Sequence, residues 1–254
     1  MTYGLYLSAT GVLTNSLRQD VIANNLANSE TVGFKRDLPL FAEMLTEARM
    51  RRLDPARHSN PVLENLGGGL RVLPTATDLA QGEMESTGNP LDVAIHGEGF
   101  FAVCDARGMH LTRSGQFIVD RAGRLTLASG GQQVLDEKAR PITLDSSGPV
   151  SIGNDGRVSQ NGQEVARIGL FTVPSSRLLS KRGAGLLDYP QLKKNLRPAA
   201  PTLRSGFLER SNVEPATELS QLMDAHRQLE ANANMIRYQD QMLSRLMNDV
   251  GKIG

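Results

Sequence analysis

The residues that could carry chemistry are few and scattered. Four histidines, His58, His96, His110 and His226, lie far apart, and none stands at a metal-ligand spacing. The single cysteine, Cys104, excludes an intramolecular disulfide. Its alternation with Phe100 and Ala102 on an expected strand assigns it to a core. There is no G-x-S-x-G, and no pair of carboxylates stands beside a histidine. The strongest motif runs from Leu91 to Ala102, where an apolar run leads into Gly97-x-Gly99-x-x-Ala102, with Asp120 about 20 residues on. A dinucleotide site needs a helix opening directly after the glycines, so that its N-terminus meets the pyrophosphate. Here Phe100-Phe-Ala-Val-Cys104 and a turn at Gly108 follow, so the expectation is strand, glycine bend, strand. The reading is therefore of a chain that is not an enzyme and takes no cofactor and no metal.

Composition narrows the partners. The 254 residues carry 28 Lys and Arg against 27 Asp and Glu, a net charge of +1. Such a balance does not suit a phosphate backbone, so no nucleic acid is expected. The basic run Arg49-Met-Arg-Arg52 is offset by Glu43, Glu47 and Asp54 and reads as a solvated loop. No run of about 18 apolar residues occurs, so direct membrane insertion is not expected. The N-terminus does not read as a secretory signal, because Arg18 is the first positive charge and polar residues break any apolar stretch. Tryptophan is absent and aromatics make up 4%. That is lean for a core of this size and points to apolar surface buried between subunits.

The elements around these residues follow from periodicity. Residues 3–28 predict a helix, with Leu5, Ala9, Val12, Leu13, Leu17, Val21, Ile22 and Leu26 at steps of three and four and Gly33 as a stop. Residues 213–250 predict a longer helix. Its expected seam is Leu219, Leu222, His226, Leu229, Ala233, Ile236, Asp240, Leu243, Met247 and Val250. Pro215 suits the first turn, and Ser211 or Asn212 is the expected cap. At about 1.5 Å per residue this helix is roughly 55 Å long and needs other helices to cover its stripe. His226 and Asp240 interrupt the seam and read as solvated groups more readily than as a register device. From about 76 to 205 the texture changes to short β-branched and aromatic runs, from Asp92–Ile95 to Arg167–Val173. Turn signals such as Arg121-Ala122-Gly123, Ser147-Gly148, Asn154-Asp155-Gly156 and Asn161-Gly162 separate them. Residues 36–75 and 176–205, richer in Pro, Gly and Arg, read as connectors or loops.

The fold class expected is α+β. Long N- and C-terminal helices form a coiled-coil-like domain, and a mainly antiparallel β domain, a barrel or a sandwich, is inserted between them. The partition is 1–35 as N-terminal assembly helix, 36–75 as connector, 76–210 as β domain and 211–254 as C-terminal assembly helix.

Several stretches resemble one family. Ala23-Asn-Asn-Leu-Ala-Asn-Ser-Glu-Thr-Val-Gly-Phe-Lys-Arg36 is similar to the N-terminal signature of the bacterial flagellar rod and hook proteins. Thr87-Gly-Asn-Pro-Leu-Asp-Val-Ala-Ile95, Gly97-Glu-Gly-Phe-Phe101 and Thr112-Arg-Ser-Gly-Gln-Phe117 resemble their central domain. Gly206-Phe-Leu-Glu-Arg-Ser-Asn-Val213 and the helix after it resemble their C-terminal signature. The resemblance implies a structural subunit of the flagellar basal-body rod in the periplasm. It also implies export without a cleaved signal through the flagellar type III apparatus, and partners that are itself and other rod subunits. The assembly interface it implies, together with the seams, comprises Leu13, Leu17, Asn24, Asn25, Asn28, Gly33, Phe34, Asn212, Val213, Leu219, Leu222, Leu229, Ile236 and Leu243. Two other readings stand beside it: an enzyme on the β domain acting on peptidoglycan, and a soluble adaptor of flagellar assembly.

Overall fold

The computed structural model describes residues 2–46, 48–49, 52, 67–145, 148–175, 178–190, 192–199 and 201–250. Met50, Arg51, Asp54, His58, Ser147 and residues 251–254 lie outside the described residues. The chain is α+β and divides into two compact units. The first comprises Met1–Leu26, Asp37–Ala76 and Pro215–Gly254; the second comprises Ala27–Arg36 and Thr77–Glu214.

In the first unit, helix α1 spans Thr2–Ala27 and helix α2 spans Pro215–Val250. They approach one another in opposite directions. A side chain at Gly4 would meet Gln239 Nε2 at 2.7 Å, and one at Gly11 would meet Asn232 Nδ2 at 2.7 Å. A step of seven residues forward on α1 is thus a step of seven back on α2. Gln19 Nε2 lies 3.3 Å from His226 Nδ1 further along. The glycines make the room that lets amides lie between helices. The least exposed line of α2 therefore runs through Glu218, Leu222, Ala225, Leu229, Asn232, Ile236, Gln239 and Leu243. Of the seam expected from apolar spacing, Leu219, His226, Asp240 and Met247 are exposed. His226 faces Glu230 at 3.4 Å, one turn along.

No helix among the described residues is long and apolar enough to cross a membrane. The stretch read as a connector carries two strands, Asp37–Glu43 and Leu70–Thr77, which pair with each other.

The second unit is built on antiparallel strands. Its main sheet runs Ser180–Gly183, Leu186–Asp188, Gly108–Thr112, Phe100–Asp105, Gln133–Val134, Leu125–Leu127 and Phe117–Val119. Leu170–Thr172 pairs with the start of Phe100–Asp105 and with Arg197–Pro198. Strands at 180–183, 186–188, 197–198 and 202–205 correct the reading of 176–205 as loops. Each is at most four residues long; Ser180–Gly183 and Leu186–Asp188 form a local hairpin, but the ladders are completed by strands distant in sequence, Leu186–Leu187 on 111–112, Arg197–Pro198 on 171–172 and Thr202–Ser205 on 93–96, so little local alternation marks them. One core gathers Phe101, Phe117, Leu125, Leu127, Ile142 and Val158. The Phe101 and Phe117 rings meet edge to face with centroids 5.1 Å apart. A second cluster on the other side of Phe100–Asp105 holds Phe100, Ala102, Leu111 and Phe171, with Cys104 partly buried against it. The stretch Leu91–Ala102 is strand, glycine bend, strand, with Gly97 and Gly99 at positive φ.

Three aspartates close turns in one way. Asp105 Oδ1 accepts from the Arg107 and Gly108 amides, at 2.7 and 3.1 Å. Asp120 Oδ1 accepts from the Ala122 and Arg124 amides, both at 2.8 Å. Asp136 Oδ1 accepts from the Lys138 and Arg140 amides, also both at 2.8 Å. Backbone donors, from Arg107 and from Arg124 first, hold the Asp105 and Asp120 carboxyls below their usual range. At Asp136 partial burial pushes the carboxyl up, but the Arg140 amide, the Arg140 guanidinium and the Lys138 amide outweigh it and the net shift is down. A carboxyl lowered on folding stabilises the fold above its unfolded pKa, and that support goes as pH falls through the folded value. Thermal melting of the protein between pH 7 and pH 3 should therefore hold until the region of the ordinary aspartate pKa, 3.8, and fall below it. Asp105→Asn, Asp120→Asn and Asp136→Asn together should flatten that fall.

Candidate functional site

Three separated stretches of the second unit meet around one buried carboxylate. Glu209 ends the strand Phe207–Glu209 and is 0% exposed. Its Oε1 accepts from Lys35 Nζ at 2.5 Å and from the Gly82 amide at 3.0 Å. Its Oε2 accepts from Arg113 Nη1 at 3.3 Å. Lys35 is 2% exposed and Arg113 5%. Lys35 also donates to the Ala80 carbonyl at 2.7 Å, and Arg113 Nη2 to the Gly97 carbonyl at 2.9 Å. Burial pushes the Lys35 ammonium below its ordinary value, opposed by the Glu209 charge, and does the same to the Arg113 guanidinium, again opposed by Glu209.

The backbone locks beside the triad. The Gly33 amide donates to the Glu209 carbonyl at 2.7 Å, with Gly33 at φ 67°. Phe34 is buried, and Lys181 Nζ lies 3.7 Å from its ring centroid. Asn212 works in both directions: its Oδ1 accepts from the Arg36 amide at 2.7 Å, and its Nδ2 donates to the Asp78 and Ala80 carbonyls at 3.0 and 3.1 Å. The Asp78 amide in turn donates to the Arg36 carbonyl at 2.8 Å. Arg36, Asp78 and Asn212, each next to a point where the chain passes to the first unit, are thus tied together. This also accounts for the helix start. Asn212 is engaged here, Ser211 Oγ accepts from the Val213 amide at 3.3 Å, and α2 begins only at Pro215.

The sequence-selected residues divide between the two units. Gly33, Phe34, Asn212 and Val213 belong to the clasp in the second unit, all buried or half-buried. Asn28, also in the second unit, accepts the Thr31 amide through its carbonyl at 3.2 Å. In the first unit Asn25 is buried and reads the Asp37 peptide on both sides, with Nδ2 donating to O and Oδ1 accepting from N, both at 2.9 Å. Asn24 is exposed. Leu17 on α1, and Leu222, Leu229, Ile236 and Leu243 on α2, are half-buried, while Leu13 and Leu219 face outward. Lys35, Arg113 and Glu209 had no role assigned from sequence. The signal available was that each sits inside one of three motif stretches.

Elsewhere in the unit, buried His110 places Nδ1 against Asp188 and Nε2 3.1 Å from Asp105, pinning neighbouring strands. Among the described residues no group of three or more His, Cys, Asp or Glu is placed to hold a metal ion.

Three family models match the chain. "Flagella basal body rod protein" matches residues 5–35, "Flagellar hook protein FlgE/F/G D1 domain" residues 94–160, and "Flagellar basal body rod FlgEFG protein C-terminal" residues 204–249. Lys35, Arg113 and Glu209 come one from each matched stretch. Among curated relatives, the flagellar basal-body rod protein FlgF of Caulobacter vibrioides is 34% identical over 261 residues, covering 100% of both chains. FlgF of Mesorhizobium japonicum is 30% identical, covering 93% of each. The rod protein FlgG of Bacillus subtilis is 31% identical, covering 98% of this chain and 99% of its own.

Proposed function

We propose, for a chain that belongs to the flagellar basal-body rod protein family and is a structural rod subunit rather than an enzyme, that it polymerises helically through its end helices and transmits torque from motor to hook. Within the family it is most like the proximal rod protein FlgF, with the distal rod protein FlgG or a hook-type paralogue as the alternative. It reaches the periplasm unfolded, through the flagellar type III export apparatus, without a cleaved signal. Its assembly partners are copies of itself and other rod subunits.

The observation that carries this reading is the apolar surface left open on both end helices. Leu13 on α1 is 64% exposed. On α2, Met235, Tyr238, Met242 and Leu246 recur at steps of three and four and are all exposed. A stripe of that kind marks an interaction surface. Covering one Leu or Met side chain is worth about 1.5–3 kcal/mol, enough in sum to order neighbouring subunits when the stripe is shared. Head-to-tail contacts that do not close on themselves grow as a filament. In this reading α1 and α2 pair as a coiled coil with Leu17, Leu222, Leu229, Ile236 and Leu243 inside. Leu13 and Leu219 face neighbouring subunits, and the strands form the outer wall.

Met235→Glu with Met242→Glu should leave the isolated protein folded by circular dichroism and abolish polymerisation, with swimming reduced to that of a strain lacking the gene. Leu222→Asp with Leu229→Asp should abolish swimming as well, by separating the helices. Normal swimming of the Met235/Met242 variant would overturn the assignment of that face.

A further inference from the structure

Methionine is an apolar side chain that a mild two-electron oxidant converts directly into a polar one. On α2, Met223, Met235, Met242 and Met247 are 50%, 55%, 56% and 76% exposed. They do not share one face. At about 100° per residue, Met242 and Leu246 lie within about 20° of Met235, and Tyr238 about 60° to one side, so these four form one stripe. Met223 and Met247 lie about 120° to either side of Met235, off the stripe. The other described methionines are less open. Met44 is 38% exposed, but its Sδ accepts from the Tyr6 hydroxyl at 3.7 Å. Met84 and Met109 are half-buried.

Resting on the reading of this stripe as a subunit interface, we propose that Met235 and Met242 are oxidation sites whose state decides whether a free subunit can join the rod. The oxidant is a peroxide. A thioether sulfur lone pair attacks one peroxide oxygen, the S–O bond forms as the O–O bond breaks, and the second oxygen leaves as water when the oxidant is hydrogen peroxide. The sulfur loses two electrons and becomes a sulfoxide, and the peroxide gains them. The product is a polar acceptor in place of an apolar sulfur. On a free subunit it stays hydrated. Between subunits it is buried and needs a donor, or it costs free energy. Along the stripe only the Tyr238 hydroxyl can donate, and it holds one proton for two sulfoxides. Met223 and Met247 face elsewhere, so their sulfoxides stay hydrated when the stripe is covered. Covering the stripe also shields its two sulfurs, so oxidation acts on the unassembled subunit.

The test has a chemical arm and a cellular arm. The purified full chain is treated with dilute hydrogen peroxide, and each methionine is followed by mass spectrometry. Met235 and Met242 should gain oxygen as fast as Met223 and Met247, and faster than Met44, Met84 and Met109, with the circular dichroism of the helices unchanged. Slower oxidation of the stripe pair than of Met84 and Met109 would overturn the proposal. In cells, Met235→Gln with Met242→Gln imitates the sulfoxide pair. It should weaken incorporation at least about tenfold and abolish swimming, whereas Met223→Gln with Met247→Gln should swim normally. Met235→Leu with Met242→Leu keeps the surface apolar and removes the sulfurs. It should swim normally and keep swimming when new flagella are grown under peroxide, a challenge that stops the native strain and the Met223→Leu, Met247→Leu strain. Equal loss of swimming in all three strains, or loss in the Met235/Met242 leucine strain without peroxide, would overturn the proposal. The charged pair Met235→Glu with Met242→Glu separates the two readings. If it abolishes swimming while the glutamine pair swims, the interface stands and the oxidation device falls. If it swims normally, the interface itself falls.

Discussion

Glu209→Ala should destabilise the second unit by about 3–5 kcal/mol, because it strands two buried cations, Lys35 and Arg113, without the buried carboxylate that pairs with both of them. Urea unfolding of the full chain, followed by circular dichroism, measures the loss as a shift of the β transition. Glu209→Gln should cost less, since an amide oxygen still accepts from Lys35 Nζ and the Gly82 amide. The pH dependence separates charge from shape. Burial already sets the Lys35 pKa below its ordinary 10.5, and removing Glu209 removes the attraction that opposes this. Between the folded value and 10.5 the unfolded chain holds more protons than the folded one. Stability therefore rises with pH across that window. The deficit of Glu209→Ala should accordingly be largest near neutral pH and shrink as pH rises toward 10.5. A triple change of Lys35→Met, Arg113→Leu and Glu209→Leu should recover most of the stability, as apolar replacement of a whole buried ion cluster does elsewhere. A loss below about 1 kcal/mol in Glu209→Ala, flat with pH, would show that the cluster is solvated in solution.

Gly33→Ala should release the segment 27–36 from the strands it lies on. Two effects add. Gly33 has φ 67°, a left-handed conformation that costs an alanine about 1 kcal/mol or more. A Cβ there would also stand 2.4 Å from the Ser114 amide nitrogen and 2.5 Å from the Arg113 carbonyl carbon, which are backbone atoms and cannot swing aside. Overpacking of this kind costs about 1–3 kcal/mol, so the sum is about 2–4 kcal/mol. The Gly33–Glu209 backbone bond and the Lys35–Glu209 pair lie next to the displaced atoms and should weaken together. Limited trypsin digestion followed by mass spectrometry reads this directly. Cleavage after Lys35, which is buried in the native chain, should become one of the earliest events. Gly33→Asn keeps the same clash but tolerates the left-handed backbone better, so its smaller loss, if any, apportions the two effects. Native-like resistance of Gly33→Ala at Lys35 would mean that the segment is not held there.

Much of the architecture is written locally. The two end helices, the hairpin turns between 91 and 173 and the strand–bend–strand at Gly97–Gly99 each depend on side chains a few residues apart. Periodicity and turn chemistry are the imprint of those short-range forces. The family signatures are legible in the same way, as runs of adjacent residues. Three things are not. The inner face of α2 passes through Asn232 and Gln239 because Gly11 and Gly4 of a distant helix make room for them, and no rule about apolar spacing on α2 contains that room. Asn212 looks like a helix cap from its neighbours and instead ties Arg36, Asp78 and Ala80 together. Lys35 and Glu209 are 174 residues apart and each resembles an ordinary surface charge until the fold buries both. Burial and charge pairing are properties of a place in space, set by all the chain segments that close around it. The local elements were therefore readable one by one, whereas the clasp that joins their signatures came into being only when the segments packed and water was excluded from Glu209.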